Sequence, residues 1–138
     1  MVTRSVRREQ AQATLRLPFA ASSVGVARRR LQQWMTECGC NTDTIEDGRI
    51  VISELVGNAV RHARPLPDGT LLVCWTPEVA GIRISVSDGG SATRPHKVNA
   101  SSSALAGRGL TIIDSLALSW WDDRTHSRTT VNAIVGFC

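Results

Sequence analysis

Two polar side chains stand four residues apart in the stretch ISELVGNAVRHA, residues 52–63: Glu54 and Asn58. On a helix that spacing puts both on one face. A carboxamide oxygen there can complete the shell of a hard cation. Arg61 and His62 follow on nearly the same face. The other side is ordinary core: Ile52, Leu55, Val56, Ala59 and Ala63 recur at helical spacing. Two readings stand at this point. Either the helix carries a chemically armed edge, or Glu54 and Asn58 simply face water.

Two glycine-bearing stretches raise the same choice. Asp88-Gly89-Gly90 directly follows an apolar alternation. That order is common in plain turns. It also suits a carboxylate that accepts a hydrogen bond from a ligand's amino group, with glycines that let the backbone approach a flat ring. Gly107-Arg108-Gly109 precedes Leu110 and an apolar helical pattern. Backbone amides freed by glycine at a helix start can hold phosphate. Magnesium would suit such a site, because it keeps several waters and takes few protein ligands beside phosphate oxygens.

These residues need elements to position them. TLRLPF, residues 14–19, reads as an edge strand because of Pro18. Ser22 or Ser23 can cap a helix with Val24, Ala27, Leu31, Trp34, Met35 and Cys38 on its apolar face, stopped by Gly39. Thr42 or Asp43 can cap a second helix that runs to about Ala63, and RPLPDG after it is a loop. TLLVCWT, residues 70–76, is a buried strand, and IRISVSD, residues 82–88, alternates with period two. Residues 89–106 show no period and are rich in Ser, Ala, Gly and Pro, so a functional loop or disorder is expected there. A helix from Leu110 and two strands, ALSWWDD and TTVNAIVGF, complete the chain. Short turns between consecutive strands imply antiparallel pairing. The expected fold is α/β (α+β): a two-layer α/β sandwich with a mixed, mainly antiparallel sheet and helices on one face. Residues 1–13 read as a flexible basic tail and 14–138 as one domain.

Composition narrows the classes. The chain of 138 residues carries a net charge of +4, almost all from arginine, with Lys97 its single lysine. The basic residues are scattered and no aromatic-interleaved stripe appears, so direct nucleic-acid binding is not expected. No apolar run reaches the ~18 residues a membrane helix needs, and the basic N-terminus has no apolar segment behind it. Cys38, Cys40, Cys74 and Cys138 show no zinc-type spacing and read as free thiols of a cytoplasmic protein.

The order E-x-x-x-N-A, D-x-G at a strand end, a loop, G-x-G-L opening a helix and a threonine in the last strand resembles the GHKL ATPase superfamily and its Bergerat (histidine-kinase-like ATPase) fold. Within it the chain is most similar to the short anti-sigma-factor serine/threonine kinases of bacteria. ELVGNAVRHA resembles their N box, VSDGG the first glycine box, GRGL the second, and TTV at 129–131 the final strand motif. The resemblance runs from about residue 14 onward. It implies ATP and Mg2+ as cofactors. Glu54 would be the general base and Asn58 the magnesium ligand. Asp88 would bind the adenine amino group, with Gly90 under the ring. Gly107, Arg108, Gly109 and Leu110 would form the phosphate end, and Thr130 would sit near Asp88. Residues 91–106 would be the ATP lid, where Arg94 or Lys97 could reach phosphate. Gly57 stands where kinases of this group often carry threonine, and Asn132 replaces a large apolar residue after the threonine motif.

The resemblance implies a cytoplasmic, ATP-binding regulator of transcription that phosphorylates an anti-anti-sigma (STAS-type) partner and sequesters a sigma factor. No contact with nucleic acid or membrane is implied, and a homodimer is compatible with it. The alternative is a non-catalytic ATP-binding interaction module that controls a transcription regulator by its nucleotide state. Glu54 favours the enzyme, because a pure binder needs no base there. A detached sensor-histidine-kinase domain fits less well, since no helix pair bearing a phosphoacceptor histidine is expected upstream.

Overall fold

The computed structural model describes residues 12–90 and 110–136. The first strand, β1, spans Ala13–Pro18 and alternates, with Leu17 turned into the core and Thr14 and Arg16 turned out. It forms one edge of the sheet, where Pro18 leaves no ladder donor missing. Helix α1 follows at Ser22–Glu37. Its cap differs from the expectation: Ala21 is the N-cap and makes no side-chain bond. The Ser23 hydroxyl instead donates to the Pro18 carbonyl at 2.6 Å, tying strand to helix. Gly39, at φ +81°, ends the helix in a conformation that suits glycine.

Helix α2 spans Thr42–His62. Neither Thr42 nor Asp43 caps it. Asn41, one residue earlier, accepts from the Thr44 amide at 2.8 Å, and a short carboxamide is as good an N-cap as aspartate. Asp43 sits in the first turn and Arg61 and His62 in the last, each complementing the helix dipole. Pro65 disfavours further helix, and the chain leaves α2 at Ala63 in an extended conformation.

Strands β2 (Thr70–Pro77) and β3 (Ile82–Asp88), the short helix α3 (Leu110–Leu116), and strands β4 (Ser119–Thr125) and β5 (Arg128–Val135) complete the described chain. The sheet order is β1-β2-β3-β5-β4. Every neighbouring pair is antiparallel, so no parallel component of the expected mixed sheet exists among the described residues.

One apolar cluster joins the layers. Ala27, Leu31 and Met35 of α1, Val51, Ile52, Leu55 and Val56 of α2 and Ile113 of α3 pack on Val73, Trp75, Ile84, Val86, Val131 and Ala133 of the sheet. The helices therefore cover one face. The opposite face carries polar pairs: Ser85 donates to Asn132 at 2.7 Å and Asn132 to Asp123 at 3.0 Å. Asn132, the departure noted in sequence, thus belongs to the face away from the helices. Cys40 is disulfide-bonded, which corrects the expectation of thiols throughout. That expectation rested on sequence spacing, which says nothing of cysteines that folding brings together. No described helix is long and apolar enough to cross a membrane.

Candidate functional site

Helix α2 lays its apolar stripe on the sheet. Asn58 is buried, 3% exposed, while Glu54 one turn earlier is half-buried. Gly57 is buried between them. A carboxamide is seldom buried this deeply within an apolar helix.

In strand β3, Ile82, Ile84, Val86 and Asp88 share one face by strand alternation, and that face is the helix side. Asp88 thus ends an apolar row as a carboxylate, only 5% exposed. One of its oxygens accepts from the Gly90 amide at 2.7 Å, which fixes the side chain. Gly90 has φ +97°, so a side chain there would be strained.

A two-residue clamp holds the exits of α2 and β3 together. The Arg64 amide donates to the Gly90 carbonyl at 2.9 Å, and the Gly89 amide to the Arg64 carbonyl at 2.8 Å. A Cβ on Gly89 would lie 2.1 Å from the Pro65 carbonyl oxygen. Nothing but glycine fits there without moving backbone. We expect Gly89→Ala to lower stability by about 1–3 kcal/mol, the usual cost of overpacking. Chemical denaturation measures it, and an unchanged midpoint would show that the Arg64–Pro65 segment yields freely.

The register of β3 with β5 corrects one sequence expectation. Asp88 pairs with Thr129, and Thr130 pairs with Ser87. Paired residues share a face, so Thr129, 4% exposed, stands beside Asp88 on the helix side. Its hydroxyl lies 4.0 Å from the position a Gly90 Cβ would take. Thr130 is on the far face, where its hydroxyl lies 2.7 Å from that of Ser87. In TTV the two threonines are chemically alike, and only the register separates them. Sequence reasoning also missed the Gly89 clamp, since a glycine that avoids another backbone carries no periodic signal.

The structure places Asp88, Gly90 and Thr129 together, and Glu54 and Asn58 lie four residues apart on α2, whose exit at Arg64 is bonded to Gly89 and Gly90. Gly107, Arg108 and Gly109, together with Arg94, Lys97 and the expected lid, lie outside the described residues. Leu110 opens α3 as expected. The donor set fits a magnesium nucleotide. A neutral carboxamide oxygen is a suitable single protein ligand for a cation otherwise held by phosphate and water. A buried carboxylate with a glycine pair and a hydroxyl beside it can take an amino-bearing ring.

Comparison with known proteins bears on the family and the fold. Residues 17–135 match the histidine kinase-like ATPase domain family. The serine-protein kinase RsbW of Staphylococcus epidermidis is 35% identical over 89 residues, which cover 59% of this chain and 56% of that protein. The chain thus spans just over half the length of that relative. RsbW of Listeria monocytogenes serotype 4a is 30% identical over 115 residues, 75% of this chain and 73% of that protein. Among solved structures, the RsbU and RsbW domains of a Mycobacterium tuberculosis protein superpose with a TM-score of 0.70 at 21% identity, covering 91% of this chain and 32% of that one.

Proposed function

Because the chain belongs to the histidine kinase-like ATPase domain family, we propose that it is an ATP-dependent protein serine/threonine kinase whose nucleotide sits between α2 and the ends of β3 and β5. The observation that carries this reading is the pairing of a half-buried carboxylate, Glu54, with a buried carboxamide, Asn58, one helical turn apart on the helix whose exit is bonded to the Asp88-Gly89-Gly90 segment. The RsbW relatives, named as serine-protein kinases, support the same reaction class.

Each residue has a role that its chemistry permits. Asp88 accepts the adenine amino group, and Thr129 stands close enough to share that edge directly or through water. Gly90 leaves the ring's approach open. Asn58 offers its carboxamide oxygen to the magnesium ion, which neutralises phosphate charge when bound. Glu54 orients the attacking serine or threonine hydroxyl and takes its proton as the new O–P bond forms and the bond to the ADP oxygen breaks. Positioning and charge neutralisation carry most of such a transfer. Gly107, Arg108 and Gly109 complete the proposal at the phosphate end.

The protein substrate we propose is of the anti-anti-sigma type, with a sigma factor as the alternative partner and the cytoplasm as the place of action. The test is incubation of the purified chain with γ-labelled MgATP and an extract of its own cells. Label is expected on one small acidic protein, on serine or threonine. Binding of ATP without label on any protein would favour the non-catalytic interaction module instead.

A further inference from the structure

Glycine inside a helix costs about 1 kcal/mol against alanine, and Gly25, Gly48 and Gly57 all stand inside α1 or α2. Gly48 has a packing reason: a Cβ there would lie 2.8 Å from the Met35 sulfur. Gly25 and Gly57 are covered by arginine instead. A Cβ on Gly57 would lie 3.0 Å from Arg61 Nη1, and one on Gly25 would lie 3.2 Å from Arg29 Nη1 and 3.9 Å from Arg28 Nη2. Arg28 Nη1 is also 3.5 Å from Ser53 Oγ, across the junction of α1 and α2. Ser53 and Gly57 are one turn apart, about 6 Å. The guanidinium groups of Arg28, Arg29 and Arg61 therefore gather on one ridge. Arg16, Arg49 and Arg83, by contrast, each stand in an ion pair.

We propose that this ridge docks an acidic surface of a protein partner, its carboxylates read by the planar guanidinium groups. Gathering like charges without a counter-ion is unfavourable alone and is offset when an anionic surface arrives. The three groups are spread over two helices, which suits several carboxylates better than one phosphate. No large apolar side chain stands exposed among them to enter a bilayer: those exposed among the described residues are Val79, Ile112 and Leu118, on other elements. Glu54 and Arg61 lie seven positions apart on α2, hence on one stripe. A partner seated on the ridge brings a neighbouring hydroxyl to the Glu54 side. That last step rests on the kinase reading, whereas the charge recognition does not.

The probe is a labelled octaglutamate peptide, with octaglutamine as control, followed by fluorescence anisotropy at two salt concentrations. Wild type is expected to bind octaglutamate alone, and more weakly at higher salt. Arg28→Glu with Arg61→Glu should weaken it about tenfold or more, whereas Arg124→Glu with Arg128→Glu, the same charge change at the β4–β5 turn, should weaken it less than about threefold. The thermal shift with MgATP should persist in both variants. Equal losses in the two variants would overturn the proposal, as general charge attraction. So would loss of the MgATP shift in the Arg28/Arg61 variant alone, which would assign the arginines to the nucleotide. Binding of phosphatidylserine vesicles but not peptide through Arg28 and Arg61 would overturn it in favour of a membrane surface. A wild type that binds octaglutamate as described but shows no MgATP shift would leave the ridge standing and remove the kinase reading.

Discussion

Glu54→Gln is expected to reduce phosphotransfer to the protein partner by about 10²–10⁴, the usual loss on removing a general base, while nucleotide affinity changes by less than about tenfold. Glutamine keeps the shape of glutamate and still accepts a hydrogen bond, but it cannot take the proton of the attacking hydroxyl. The separation depends on Asn58 being the residue that serves the metal. Asn58→Ala should therefore behave differently, with magnesium-dependent binding and turnover falling together. Paired measurements of affinity and transfer on both variants test the assignment. A Glu54→Gln protein that transfers phosphate at the wild-type rate would remove Glu54 from the chemistry.

Asp88→Asn is expected to weaken ATP binding by about 1–3 kcal/mol, the worth of a hydrogen bond to a charged group in a site built around it. That is roughly 5- to 150-fold in the dissociation constant. The fold should survive, for a local reason. Asparagine keeps a side-chain oxygen to accept the Gly90 amide bond that Asp88 makes at 2.7 Å. What it changes is the other edge, where an NH2 donor meets the donor of the adenine amino group. Circular dichroism should match wild type while calorimetric affinity drops. Unchanged affinity would reduce Asp88 to a turn residue.

Period two in IRISVSD placed Asp88 at the end of an apolar row, and β3 spans those seven residues, Ile82–Asp88. Helical spacing placed Glu54 and Asn58 on one face of a helix that the structure shows as α2. Both signals are local, so a sequence carries them. The pairing of β3 with β5 is not local. It joins residues 41 to 53 positions apart, and a shift of one residue turns every side chain to the other face. That is why TTV pointed to Thr130 although Thr129 stands beside Asp88. The N-cap of α2 turns on a smaller ambiguity, since Asn41, Thr42 and Asp43 are all competent caps and only Asn41 has its oxygen at the Thr44 amide. The contact of Gly89 with Pro65 is a meeting of two exits from the core. Its only sequence trace is a second glycine after Asp88.

The measurement closest to the central claim is calorimetric titration of the wild-type chain with MgATP and, separately, with MgGTP. Guanine presents an oxygen acceptor where Asp88 requires a donor, so the two nucleotides differ at the atom the site is built to read. One MgATP should bind per chain, with MgGTP at least about tenfold weaker, the scale of one lost charged hydrogen bond. Absence of MgATP binding at millimolar concentration, or equal affinity for the two nucleotides, would contradict the account.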